Sequence, residues 1–246
     1  MTPATTREIA AIALLQAVAT LERGELIDEM LDVRGRDVLD VGCGEGWLVR
    51  RLRDAGAARV VGIDPLEVAL EHTREEGPPE LVDAFLDGSA ESLPFEDRSF
   101  DIVVFFNSLH HVPQAGLDAA IAEALRVLRP RGLIYVQEPI ASGEFHELMS
   151  PIEDETEARA AAQAALDRAV ARRRMTERSR RDAVVGMTFA DFEALRALMV
   201  SVEPERGAAI DANEAALREG FDRLGRTVEG GREFELPVRT RIFAAR

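Results

Sequence analysis

The sequence predicts an α/β protein built on a mostly parallel sheet. Three observations carry this. Apolar runs alternate with amphipathic stretches through roughly the first 130 residues. One of those runs ends in a glycine-rich turn that opens a helix. With 246 residues, 46% of them hydrophobic, the chain can bury a large core without disulfides or metals. This length suits one large domain, with or without an appended cap, rather than two independent ones.

The elements follow in order. Residues 5–21 carry Arg7, Glu8 and Gln16 among apolar neighbours and read as an amphipathic helix. The stretch has neither a basic leading region nor a small-residue cleavage site, so it is not read as a signal peptide. Residues 37–41 form a short apolar run ending in glycines, which predicts a buried strand. Residues 46–55 have helical spacing, with Leu48, Val49 and Leu52 apolar and arginines opposite. A second strand is expected at 59–63, a helix at about 65–75, a weaker strand at 80–86 and a strong one at 100–106. Residues 117–128 read as a helix stopped by Pro130, and 132–137 as a strand.

The last hundred residues differ. Residues 153 to about 182 predict one long helix, with Ala158, Ala162, Ala165, Leu166 and Ala169 on a stripe. Acids at its start and arginines at 172–181 match the helix dipole. That stripe could pack within one chain or between chains, so monomer and homodimer both stay open. Thr188 is a plausible N-cap for a helix to about 198. A further helix is expected at 213–224 and a closing strand at 233–244.

Charge and composition exclude several classes. Net charge is −15, which disfavours nucleic acid, whose affinity rests on neutralised phosphates. All 30 basic residues are arginine, so Schiff-base and P-loop lysine chemistry are absent from this chain. The single cysteine, Cys43, rules out an intrachain disulfide framework and a cysteine-only metal site. No apolar run approaches the ~20 residues that span a bilayer. A cytoplasmic protein without stable membrane association is expected. The adjacent His110 and His111 lack the spacing of a helical metal pair, while His72 and His146 are isolated, so no metal is expected.

The richest segment is Val38-Leu39-Asp40-Val41-Gly42-Cys43-Gly44-Glu45-Gly46. A dinucleotide fingerprint beginning at Gly42 would need its third glycine where Trp47 stands. Asp40 and Glu45 also flank the loop, and two carboxylates repel a pyrophosphate. Asp64 ends the next strand, at the offset where an acid accepts hydrogen bonds from ribose hydroxyls. Together these features describe a nucleoside with a cationic tail, which S-adenosylmethionine fits.

Five ordered segments carry a family resemblance. Val38 to Gly46 resembles the first motif of class I S-adenosylmethionine-dependent methyltransferases of the small-molecule type. Val60-Val61-Gly62-Ile63-Asp64-Pro65 is similar to their second-strand motif. Asp87-Gly88-Ser89-Ala90-Glu91-Ser92-Leu93-Pro94-Phe95 resembles the loop over adenine. Ser99-Phe100-Asp101-Ile102-Val103 and Leu109-His110-His111-Val112 resemble the fourth strand and its exit. Arg126-Val127-Leu128-Arg129-Pro130-Arg131-Gly132 resembles the turn into the fifth strand.

The resemblance implies a Rossmann-like doubly wound sheet of seven strands, the last antiparallel, with a helical cap. On that scheme the whole chain is one methyltransferase domain. Residues 1–31 are a helical cap, 32–140 the cofactor-binding core, 141–186 a helical insertion acting as a lid, and 187–246 the C-terminal part of the sheet. It also implies roles. Asp40 and the backbone at Gly42 and Gly44 would hold the methionine end. Asp64 would bind the ribose, with Pro65 or Leu66 against adenine. Ala90 and Glu91 would frame the adenine edge. Ser89 stands where many relatives carry an acid for the adenine amine, and Glu91 would compensate. Asn107 would lie beneath the sulfonium. Cys43 and Trp47 complete the cofactor set, although Cys43 also reads as a small buried filler and Trp47 as helix packing.

His110 and His111 are candidate general bases, since histidine titrates near neutrality. The alternative is packing under the cofactor. Glu138, at the end of the fifth strand, could orient or deprotonate an acceptor. Phe145, His146 and Met149 could line an acceptor pocket or be helix core. The expected reaction is in-line methyl transfer from S-adenosylmethionine to an oxygen, nitrogen or carbon atom of a small molecule, driven mainly by proximity, leaving S-adenosylhomocysteine. The alternatives are another S-adenosylmethionine-using reaction, a quinone-type acceptor, a cofactor-binding module without turnover and, last, a nicotinamide dehydrogenase.

Overall fold

The structure is a computed structural model describing residues 24–65, 85–202 and 205–246. The helix read at 5–21, nearly all of that read at 65–75, Leu66, His72 and residues 80–84 lie outside the described residues. Residues 24–30 are helical. The labelled elements then follow as β1 (Asp37–Val41), α1 (Trp47–Asp54), β2 (Arg59–Asp64), β3 (Phe85–Asp87), β4 (Phe100–Phe106), α2 (Leu117–Val127), β5 (Leu128–Pro139), α3 (Glu144–Met149), α4 (Thr156–Ala171), β6 (Met175–Phe189), α5 (Phe192–Val202), α6 (Arg206–Leu224), β7 (Arg226–Val228) and β8 (Gly231–Ala245).

The chain divides into two compact units. The first contains Leu26–Pro139, Thr156–Ala183 and Val238–Arg246. Its sheet has the order β3-β2-β1-β4-β5-β8-β6, with β1 to β5 parallel where paired and β8 antiparallel to β5. This is the Rossmann-like, doubly wound sheet. Both faces are covered, and alternation along each strand decides which residue meets which layer. Leu39, Val41, Val103, Phe105, Ile134 and Val136 pack on one side with α2 and α4. Val38, Ile102, Val104, Phe106 and Tyr135 pack on the other, with α1. Burial on both faces is why these strands read as continuous apolar runs.

The long helix expected at 153–182 is corrected. Helix α4 ends at Ala171, and Met175–Phe189 is a strand. A Schellman motif stops the helix. The Arg173 N–H donates to the Val170 carbonyl and the Arg174 N–H to the Ala169 carbonyl, with Arg173 left-handed at φ 56°. Glycine is the usual residue there, so the sequence shows no stop signal. The arginines at 172–181 therefore span a turn and a strand rather than one helix end. Ala162, Ala165, Leu166 and Ala169 of the stripe are buried within this unit, where α4 packs on α2, while Ala158 is half-buried. The stretch read as a single insertion at 141–186 is thus split, because 156–183 belongs to the sheet unit.

Strand β5 is longer than expected, and Pro130 falls inside it. The β4–β5 register shifts between Phe100 and Ile102, which accommodates the proline.

The second unit includes Ile140–Glu155 and Val184–Pro237. Helices α5 and α6 pack through Phe192 edge-on against Phe221. Phe145 stacks on Phe189, which meets Phe234, which meets Phe221. Thr188 is not a helix cap but lies in β6. Asp191 caps α5 instead, its Oδ1 accepting the Ala194 N–H at 2.8 Å. Helix α6 starts earlier than expected, at Arg206.

Candidate cofactor site at the carboxyl edge of the sheet

Strand β1 delivers Asp40 and Val41 to the carboxyl edge, between β2 and β4. The chain then turns through Gly42, which must be glycine on two counts. Its φ is +78°, and a Cβ there would lie 2.4 Å from the Ser108 Cβ. The Ser108 hydroxyl donates to the Val41 carbonyl at 2.5 Å and ties β4's exit to the loop. Gly42 and Cys43 N–H groups both donate to the Ile63 carbonyl, at 2.8 and 3.1 Å. The Gly44 N–H donates to Asp64 Oδ2 at 2.8 Å. A Cβ on Gly44 would meet nothing within 4 Å among the described residues.

Asp40 is 1% exposed, and among the described residues neither of its oxygens has a hydrogen-bond partner. Burial pushes its carboxyl up to about 8, and the charge of Asp64 adds to this. A buried acid without a donor is costly unless a ligand supplies one. Asn107 also sits left-handed, at φ 55°, with its Oδ1 buried and unpartnered, while its N–H donates to the Gln137 carbonyl at 2.7 Å. Unsatisfied acceptors beside a second carboxylate suit a ligand carrying an ammonium and hydroxyls, and repel a phosphate. The residues present therefore fit S-adenosylmethionine.

The other loop residues divide. Cys43 is buried, and its Sγ lies 2.7 Å from where a Gly62 Cβ would be, so it fills the space that glycine leaves. Burial, then Asp40 and Asp64, push its thiol up, away from a reactive thiolate. Trp47 packs edge-on against Phe106 at 5.1 Å, the packing alternative. Pro65 is exposed. Ser89 bridges to Ser92, Ala90 is buried in the core, and the Glu91 side chain lies against Gly116.

The structure joins two candidates that the sequence left apart. Glu138, 1% exposed, receives the Leu109 N–H on Oε1 at 2.8 Å and faces His110 Nδ1 with Oε2. His110 is 6% exposed, while His111 is exposed and lies 4.1 Å from it ring to ring. Glu138 is thus paired with a histidine. Phe145, His146 and Met149 are half-buried on α3, whose buried residue is Leu148. Sequence reasoning missed Ser108, whose only signal is its place after Asn107 at the exit of β4. It also missed Gln137, whose Oε1 accepts the hydroxyls of Tyr135 at 2.9 Å and Thr240 at 3.3 Å.

The mostly parallel doubly wound sheet and the acid-flanked glycine turn are what the motif resemblance implies. Residues 39–136 match the methyltransferase domain family. A probable S-adenosylmethionine-dependent methyltransferase of Mycolicibacterium smegmatis is 39% identical over 120 residues, which is 48% of this chain and 44% of that protein. The 27-O-demethylrifamycin SV methyltransferase of Amycolatopsis mediterranei is 35% identical over 137 residues, 54% of this chain and 47% of that protein. The crystal structure of the YcgJ protein of Bacillus subtilis matches with a TM-score of 0.60 at 20% identity, over 92% of this chain and 99% of that one. Residues 39–136 are thus similar to a methyltransferase domain, and the sheet around them has the fold of solved methyltransferase-like structures. The matches span about half the length of the curated relatives.

Among the described residues, no helix is long and apolar enough to cross a membrane.

Proposed function

We propose that this chain transfers a methyl group from S-adenosylmethionine to an oxygen, nitrogen or carbon atom of a small molecule. The observation that supports this most directly is the buried, unpartnered Asp40 beside Asp64 at the glycine turn. That cofactor supplies a methyl group on a cationic sulfur, already a good leaving group, so positioning of the acceptor accounts for much of the rate.

Asp40 takes the ammonium end, with the Gly42 and Gly44 backbone close enough for contact because no side chain intervenes. Asp64 takes the ribose hydroxyls, and its bond from the Gly44 N–H holds the carboxylate in place. Pro65, Leu66, Ser89, Ala90 and Glu91 are assigned to the adenine, and Asn107 to the methyl-bearing end. Cys43 and Trp47 shape the loop from behind. His110 takes the proton of a hydroxyl acceptor on Nε2, with Glu138 holding Nδ1. His111 is the second candidate for that proton. Phe145, His146 and Met149 remain the acceptor-contact candidates. A small-molecule acceptor agrees with the demethylrifamycin relative and with the negative charge of the chain.

The test is calorimetric titration with S-adenosylmethionine and S-adenosylhomocysteine on wild type and Asp64→Ala. Micromolar binding lost in the variant supports the site; no binding by wild type overturns it. Incubation with candidate acceptors then separates methyl transfer, which adds one methylene unit to the product mass, from other reactions of the cofactor.

A further inference from the structure

The opposite edge of the sheet carries a second charged feature. Parallel strands β1, β2, β4 and β5 end at the glycine turn and begin at this edge. Since β8 is antiparallel to β5, its last residues arrive here too, with Ala244 opposite Leu133. A concavity of about 400 Å³ lies at this edge. Its apolar lining comes from Pro130, Leu133, Ala244 and Ala245, and its charged lining from Arg131, Arg178 and Arg246. Among the described residues, no aspartate or glutamate lines it.

Acids outnumber arginines 45 to 30. Neighbouring Arg129 pairs with Asp37 and Asp101, whereas the arginines of the concavity pair with no carboxylate among the described residues. Around the concavity, Arg246 donates only to the Thr176 hydroxyl, at 2.9 Å. The side chains of Arg131 and Arg178 make no hydrogen bond or ion pair among the described residues. With so many acids available, bare arginines over an apolar floor form a local reversal of the chain's field. Arg131 is also held left-handed, at φ 69°, where glycine would carry no steric penalty.

We propose that this concavity is a binding site for a small organic anion, a carboxylate or phosphate borne on a flat apolar body. The guanidiniums supply forked donors that match either anion. The proline, leucine and alanine floor takes the apolar part. The site lies within the sheet unit at the edge away from Asp40 and Asp64, so it binds independently of the methyl-transfer reading.

Four probes test this on the full chain by calorimetric titration: 1-naphthyl phosphate, 1-naphthoate, 1-naphthol and inorganic phosphate. Saturable one-to-one binding of one or both naphthyl anions is expected, and which of them binds tells phosphate from carboxylate. Naphthol and inorganic phosphate, each lacking half of the recognition, should bind at least about tenfold more weakly. Arg131→Gly with Arg178→Ser should weaken the anion about tenfold or more. The glycine suits φ 69°, so the thermal midpoint of Arg131→Gly should be kept or raised, and loss of binding cannot be put down to unfolding. S-adenosylhomocysteine should not displace the probe. The proposal is overturned by absent saturation at millimolar concentration, by equal binding of naphthol, by undiminished binding to the double variant, or by displacement with S-adenosylhomocysteine.

Discussion

Glu138 and His110 form a buried pair across the β4–β5 edge, in which the carboxylate faces Nδ1 and also receives the Leu109 N–H. The carboxylate keeps the proton on Nδ1 and leaves Nε2 as the basic atom. For a hydroxyl acceptor, His110→Ala should lower kcat by about 10²–10⁴-fold, with cofactor affinity little changed. Glu138→Gln retains an oxygen for Leu109 but offers Nδ1 a donor, which favours the other tautomer. Its kcat should fall while the pH profile moves, a change that loss of packing alone would not produce. Steady-state kinetics across pH would decide, and an unmoved profile in Glu138→Gln would remove Glu138 from this role.

The Asp40 carboxyl, pushed up to about 8, sets a trade between stability and binding. The ordinary carboxylate value is near 4. Between those two pH values the folded chain holds a proton that the unfolded chain has released. Stability from this group therefore falls as pH rises from about 4 to 8. Asp40→Asn cannot ionise, so its thermal midpoint should exceed wild type at pH 8, with the difference shrinking toward pH 4. The same variant should bind S-adenosylhomocysteine at least about tenfold more weakly at pH 8, because a charge-assisted bond is gone. Thermal scans and titrations at both pH values measure the two effects separately.

Gly42 and Gly44 should respond differently to alanine. At Gly42 the new Cβ meets Ser108 at 2.4 Å as well as an unfavourable φ, and the cost should be about 2–4 kcal/mol. Ser108→Gly in the same chain should recover the steric part. At Gly44 only the backbone conformation is penalised, at about 1 kcal/mol. Denaturant unfolding of the three variants gives the comparison, and equal losses at the two glycines would contradict it.

Acid should release the far edge of the sheet through Glu177. Arg180 and then Arg241 hold its carboxyl down at about 2. Arg241 is 1% exposed and also pairs with Asp167 at 2.7 Å. A depressed acid stabilises the fold above its unfolded value near 4.5, and that contribution is lost as pH falls toward 2. Glu177→Gln should cost about 1–3 kcal/mol at pH 7, since it leaves a buried guanidinium short of one carboxylate. The gap from wild type should narrow below about pH 4.5 and close only below about pH 2. Urea titrations at pH 7 and at about pH 2 would show it.

Much of the sheet unit was legible in the residue order. Strands 100–106 and 37–41 are buried on both faces and therefore apolar without interruption, and the glycine turn between acids marks the cofactor edge. The end of α4 was not legible, because Arg173 takes the left-handed position with no glycine to announce it. Strand β6 was not legible either. Its exposed arginines look like the polar face of a helix until Arg180 and Glu177 are seen bonded along the strand, and Asp182 and Glu177 bonded to Arg239 and Arg241 of β8.

The sequence by itself determined the class of fold, the glycine loop and the acids Asp40 and Asp64, because backbone conformation and strand burial are local demands that residue type answers directly. Only the tertiary structure decided that Glu138 belongs to His110, that Ser108 closes on Gly42, and that Arg131 and Arg178 share an acid-free concavity. Those relationships join residues far apart in the chain, brought together by strand order and register, and no local pattern records which distant neighbour a side chain will meet.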